Sequence, residues 1–226
     1  NQIETEVALD IGDRASRAIG TAGTTPFASN FNSVAEVRQV LVDNGMPAND
    51  RQATLVINSA AGTKLRNLAS LNAVDSSGNE DMLRRGTLLD LQGIMMKESA
   101  GLDNHTAGTG ASATTDDAGY AVGATTLTLA SAGTGTIVAG DVVTFAGDTN
   151  QYVVTTGDGD VSGGGTIVLG APGLQVAIAA STTAITVVAS SVKNVAFHRA
   201  AVEIGIRGLA QPMGGDAAVD RMTVQD

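Results

Sequence analysis

Asp158 and Asp160 stand one residue apart in the run GDGDVSGGG at 157–165, and alternating carboxylates can converge on a hard cation such as calcium. The run lacks the remaining ligand positions of an EF-hand loop and the tandem repeats of a calcium β-roll. Asp-Gly is also ordinary turn chemistry, so a hairpin turn is the expectation and a metal site the alternative. His105 and His198 are the two imidazoles available for acid–base work. No Gly-x-Ser-x-Gly elbow, Walker loop or dinucleotide glycine motif accompanies them, which favours structural histidines over a hydrolase built on His198 with Glu203 or a partner distant in sequence. Asn104, His105 and Thr106 spell a glycosylation sequon, a three-residue match that reads as loop.

Glu80, Asp81, Arg84 and Arg85 form the densest charge cluster of the first half. A solvated surface is the plain reading; a subunit interface is the sharper one, because guanidinium groups bind carboxylates through two parallel hydrogen bonds. Met95 and Met96 follow Ile94 on an expected strand, where alternation turns one of them inward and the other outward.

Composition narrows the chemistry further. The 226 residues carry 13 Lys plus Arg against 23 Asp plus Glu, a net charge of −10, two His and no Cys. Disulfides and thiol nucleophiles are excluded, and a zinc site would have to lean on carboxylates. There is none of the Lys/Arg surplus that neutralises phosphates, which argues against sequence-specific nucleic-acid binding. No apolar run reaches the roughly 18 residues of a membrane helix, and Asn1 opens a charged segment without the apolar core of a signal peptide.

The elements that must position these residues read as follows. Ile3, Val7, Ile11 and Ala15, then Ala18 and Ile19, predict a helix over 1–20 closed by Gly20. After the loop at 21–32, Ser33 and Glu36 have capping-box spacing and open a helix whose buried face is Val34, Val37, Val40 and Leu41, stopped by Gly45 before Pro47. ATLVIN at 53–58 predicts a covered strand, and Ser59 a cap for a helix over 60–71 with Leu65, Leu68 and Leu71 inward. GTLLDLQGIMMKESAG at 86–101 predicts two strands around Gln92 and Gly93.

Composition changes at Gly101. From there to about Ser190 the chain has almost no Lys or Arg. Short β-prone runs (ATTLTLA, DVVTFAG, QYVVTT, GTIVLG, LQVAIAA, AITVVA) are separated there by Gly and Asp turns. Such spacing predicts a small antiparallel barrel or sandwich inserted into an α+β domain.

VAEVRQVLVDNGMP, ATLVINSAAGTKLRNL, RRGTLLDLQGIMMKESAG, the Gly-rich insertion and SVKNVAFHRAAVEIGIRGLAQP occur in that order. Together they resemble the major capsid protein of tailed phages and prophages related to the Salmonella podophage coat protein. NVAFHRAA at 194–201, with Asn194, Phe197 and His198, is the most recognisable piece; LVINSAAG at 55–62 is the second. The resemblance implies an α+β, Hong Kong 97-like capsid fold with an inserted small antiparallel β-barrel. Residues 1–25 would be the end of the spine helix and a linker, 26–118 an axial-type domain, 119–190 the inserted barrel, and 191–226 the return to the core domain. The resemblance further implies a homo-oligomer of pentamers and hexamers forming an icosahedral shell, with scaffolding and portal proteins as partners, located in the virion capsid and in the host cytoplasm during assembly. No reaction, cofactor or membrane contact is expected. Nothing in the chain corresponds to the arm and extended loop that precede the spine, so a partial subunit is expected. The competing reading is a binding module, a carbohydrate-binding or adhesin-like barrel on an α+β scaffold, with only Tyr120, Phe145 and Tyr152 to serve as stacking platforms.

Overall fold

A computed structural model describes residues 2–72, 88, 90–102, 104–203 and 205, with side chains from residue 5 onward. The fold is mixed α+β, with two hydrophobic cores.

The apolar run at 53–57 becomes the centre of the first core. Strand β2 (Ala53–Ile57) pairs parallel with β3 (Ile94–Glu98) and antiparallel with β11 (Val195–His198), so its Ala53, Leu55 and Ile57 are buried. A parallel pair needs a long crossover, and this one carries helix α3 (Ser59–Arg66) and the single turn α4 (Ala69–Asn72). Leu65, Leu68 and Leu71 face inward as their spacing predicts. The cap, however, is Asn58, whose side chain accepts from the Ala61 amide at 2.9 Å; Ser59 is already in the helix. Asn58 keeps extended backbone (φ −74°, ψ 164°) because it continues β2, which is the geometry an N-cap requires.

Helix α2 (Asn32–Asp43) starts one residue before the expected cap, and the Ser33–Glu36 box does not form. Phe31 occupies the N-cap position without a side-chain bond, while Asn30 accepts from the Asn32 amide at 3.0 Å. Val34 is fully buried, with Val37, Leu41 and Val42 packed beside it. The stop is as expected: Gly45 sits at φ +100°, its amide bonds Val42 and that of Met46 bonds Leu41, a Schellman closure just before Pro47.

Gln92 and Gly93, both at positive φ, make the two-residue turn between Leu91 and Ile94, whose backbones exchange two hydrogen bonds. Beyond the turn β3 alternates as expected, Met96 buried and Met95 39% exposed. The strand expected before it lies largely outside the described residues.

Helix α1 (Gln2–Asp13) is shorter than the apolar stripe suggests. Arg17 and Ala18 leave the helix to form β1, paired antiparallel with Tyr152 and Gln151 of β7 (Gln151–Thr156). The change is a tertiary override, because ladder bonds to a strand more than 130 residues away replace the next helical turn. Gly170 allows it: the Ala15 carbonyl lies where a Cβ would stand.

The second core fills a barrel. β5 (Thr126–Leu129), β8 (Gly165–Leu169), β7, β6 (Val142–Phe145) and β9 (Ile185–Val187) follow one another around an antiparallel sheet. Residues 113–116 close it, bonding Thr183 and Ile185 next to and within β9 on one side and Thr128 and Ala130 of β5 and its end on the other. The expected insertion spans 119–190; this closing segment precedes it. Closure leaves no open edge between β5 and β9. Leu127, Val143, Tyr152, Val154 and Ile167 fill the interior, fully buried. The run LQVAIAA forms no strand: Leu174 and Ile178 still turn inward, but through an isolated bridge between Ile178 and Tyr120.

The barrel is inserted between β3 and β11. Its two connections run side by side as β4 (Asn104–His105) and β10 (Ser191–Val192), a two-residue antiparallel neck.

Candidate functional site

Among the described residues two His–Asp pairs stand out, and the more buried of them, joined by an ammonium, sits at the neck. Asp141 opens β6 at the barrel corner and is fully buried. Its carboxylate takes His105 Nε2 at 2.8 Å, the Val138 amide at 2.8 Å and the Gly108 amide at 3.1 Å. Lys193, directly after β10, donates to the Gly140 carbonyl and lies 3.5 Å from Asp13 at the end of α1. Burial pushes the Lys193 ammonium below the usual lysine range, against the opposing pull of Asp13 and Asp141. The sequence marks His105 as a candidate but not Asp141 or Lys193 as its companions: Asp141 meets His105 across 36 positions, and Lys193 meets Gly140 across 53.

His198 closes β11. Its Nε2 meets Asp50 at 3.0 Å and its Nδ1 accepts from the Ala200 amide at 3.3 Å, so Nε2 carries the proton shared with Asp50. The Asp50 carboxyl is held below the usual carboxylate range, first by this hydrogen bond. The hydrolase alternative takes His198 with Glu203 or with a partner the sequence does not show; the acid that meets the imidazole is Asp50. At the other end of the same strand Asn194 accepts from the Asn58 amide at 2.8 Å. Asn194 and His198 thus tie the two ends of β11 to the residues flanking β2.

Asp158 and Asp160 form a turn. Asp158 accepts from the Asp160 amide at 2.8 Å, and Asp160 caps a 3-10 turn by accepting from the Ser162 amide at 3.1 Å and hydroxyl at 2.6 Å. These bonds hold the Asp160 carboxyl below its ordinary range. Among the described residues no group of three or more His, Asp or Glu is arranged to hold a metal ion. Glu80, Asp81, Arg84 and Arg85 lie outside the described residues.

Phe145 and Tyr152 are core residues, 2% and 0% exposed, with ring centroids 5.7 Å apart. Tyr120 packs against the same core and bonds Asp116 through its hydroxyl. They form no exposed stacking platform. From Ala118 to Val192 the only charged side chains are Asp141, Asp148, Asp158 and Asp160, so the barrel is wholly acidic. Among the described residues no helix is long and apolar enough to cross a membrane.

No family model and no curated protein sequence matches the chain. Among solved structures, one from Mycobacterium phage Che8 is similar at 18% identity and a TM-score of 0.40, over 83% of this chain and 55% of that one. The chain thus spans little more than half the length of that structure.

Proposed function

We propose that this chain is a structural subunit of an icosahedral phage or prophage capsid, assembling with copies of itself into pentamers and hexamers around the genome. One observation supports this reading above the others. The two segments that carry the resemblance to podophage coat proteins, LVINSAAG and NVAFHRAA, meet on neighbouring antiparallel strands, Val195 opposite Val56 and Ala196 opposite Leu55. A closed barrel leaves and re-enters the α+β body beside them, as that family's inserted domain does. The role asks for extended contact surfaces rather than converging reactive groups, so it assigns no reaction and no cofactor. An acidic barrel also avoids trapping DNA by counterion release. Scaffolding and portal proteins are the further partners, and assembly takes place in the host cytoplasm.

The test is expression of the full gene product, with and without its neighbouring gene products, followed by sedimentation and negative-stain electron microscopy. Closed shells or capsomer rings are expected. A uniform small oligomer under every condition would overturn the proposal.

A further inference from the structure

The barrel is attached to the body through contacts of unequal strength. The neck ribbon has two residue pairs, Ser191 with His105 and Val192 with Asn104, and so short a ribbon is marginal by itself in water. β1 travels with the barrel, hydrogen-bonded to β7. Its links to α2 end on solvent-facing groups: Arg17, itself 13% exposed, lies 3.8 Å from Asp43, whose side chain is 46% exposed, and Asn44 donates to Ser16 at an exposed position. At 3.8 Å and with a half-exposed carboxylate, the ion pair contributes little.

The cluster around Gly140 differs in burial. At its centre is a fully buried carboxylate: the side chains of Asp141, His105 and Lys193 are 0%, 14% and 17% exposed, and that of Asp13 38%. Three distant parts of the chain meet there: α1 through Asp13, the neck through His105 and Lys193, and the barrel corner through Gly140 and Asp141. The fit around the corner is tight. Gly140 sits at φ +86°, and a Cβ on it would collide with the Asp13 carboxylate and stand 2.9 Å from His105 Cε1. The Lys193 stem runs along Gly12, where a Cβ would be 3.7 Å from its Cδ. Asp13 Oδ1 is buried, with the Lys193 ammonium 3.5 Å away.

We propose that this cluster is a conformational latch, which fixes the orientation of the barrel on the body and whose release lets the barrel swing about the neck while both cores stay folded. Asp141 keeps the barrel corner itself closed through Val138 and Gly108, whereas His105 and Lys193 reach from the neck. The releasing changes are therefore His105→Leu, which removes the donor to Asp141, and Lys193→Met. The latch concerns the subunit alone and does not depend on the capsid reading.

The experiment is measurement of backbone residual dipolar couplings for the whole chain, comparing amides of β5–β9 with those of β2, β3 and β11. In the unaltered protein one alignment tensor fits both groups. In the His105→Leu, Lys193→Met double variant the common tensor is lost and each group requires its own, with amide shift dispersion retained in both. Arg17→Gln, which cuts the link to Asp43, keeps the single tensor. Two tensors in the unaltered protein, one tensor in the double variant, separation in Arg17→Gln, or loss of barrel dispersion in the double variant would each overturn the proposal.

Discussion

Asp141→Ala should unfold the barrel far more easily than its small change in volume suggests. The carboxylate is fully buried and receives the Val138 and Gly108 amides and His105 Nε2. Alanine leaves both amides without an acceptor in a place water does not reach, and each such donor costs about 1–3 kcal/mol. His105 keeps some contact with solvent and loses less. Removing a buried charge returns part of its desolvation cost, so the net expectation is about 3–4 kcal/mol. With a urea dependence of about 2 kcal/mol per molar, the midpoint falls by about 1.5–2 M. Tyrosine emission makes a selective probe, because the chain has no Trp and its two tyrosines, Tyr120 and Tyr152, both belong to the barrel core. Far-ultraviolet dichroism follows α2 and α3 in the body, whose midpoint should move less. A tyrosine-detected shift below about 0.5 M would refute the assignment of these amides to Asp141, since one unsatisfied amide alone accounts for more than that.

Gly45→Ala puts a Cβ at φ +100° with open space around it, so only backbone strain opposes it; a loss of about 1 kcal/mol and about 2–4 °C in Tm is expected by calorimetry. His198→Ala removes the first cause of the lowered Asp50 pKa, so carboxyl ¹³C titration should show Asp50 moving up toward its ordinary 3.8. A carboxyl lowered in the folded state contributes stability above 3.8 that is lost as pH falls through the lowered value, so the acid limb of the variant's stability curve should be flatter there. Under the capsid proposal, Arg84→Glu with Arg85→Glu leaves the subunit's dichroism unchanged and reduces particle yield in electron micrographs, because rim charges act on association more than on folding; normal particles would remove these residues from the interface.

How much was legible in the residues depends on how far apart the interacting groups lie. The covered strand at 53–57, the inward leucines of α3 and α4, the Gly45–Pro47 stop and the Gln92–Gly93 turn are decided within a few positions. There β-branching, helical spacing and the freedom of glycine at positive φ act directly. Five of the six β-prone runs became barrel strands for the same reason. The cap of α3 moved by one residue because β2 holds Asn58 extended, a constraint that comes from strand pairing and not from Asn58 itself. The end of α1 moved further, since the bonds available along β7 outweigh another helical turn.

By itself, then, the sequence determined the alternation of a charged α+β body with a charge-poor, Gly-rich β segment, and the turn that Asp158 and Asp160 make. Only the tertiary structure decided that residues 113–116 close the barrel, that Tyr152 and Phe145 are core, and that His105 belongs to Asp141 and His198 to Asp50. Each of those pairings spans 36 residues or more. A buried carboxylate is tolerated only where the fold brings donors to it, and no local pattern records where those donors will be.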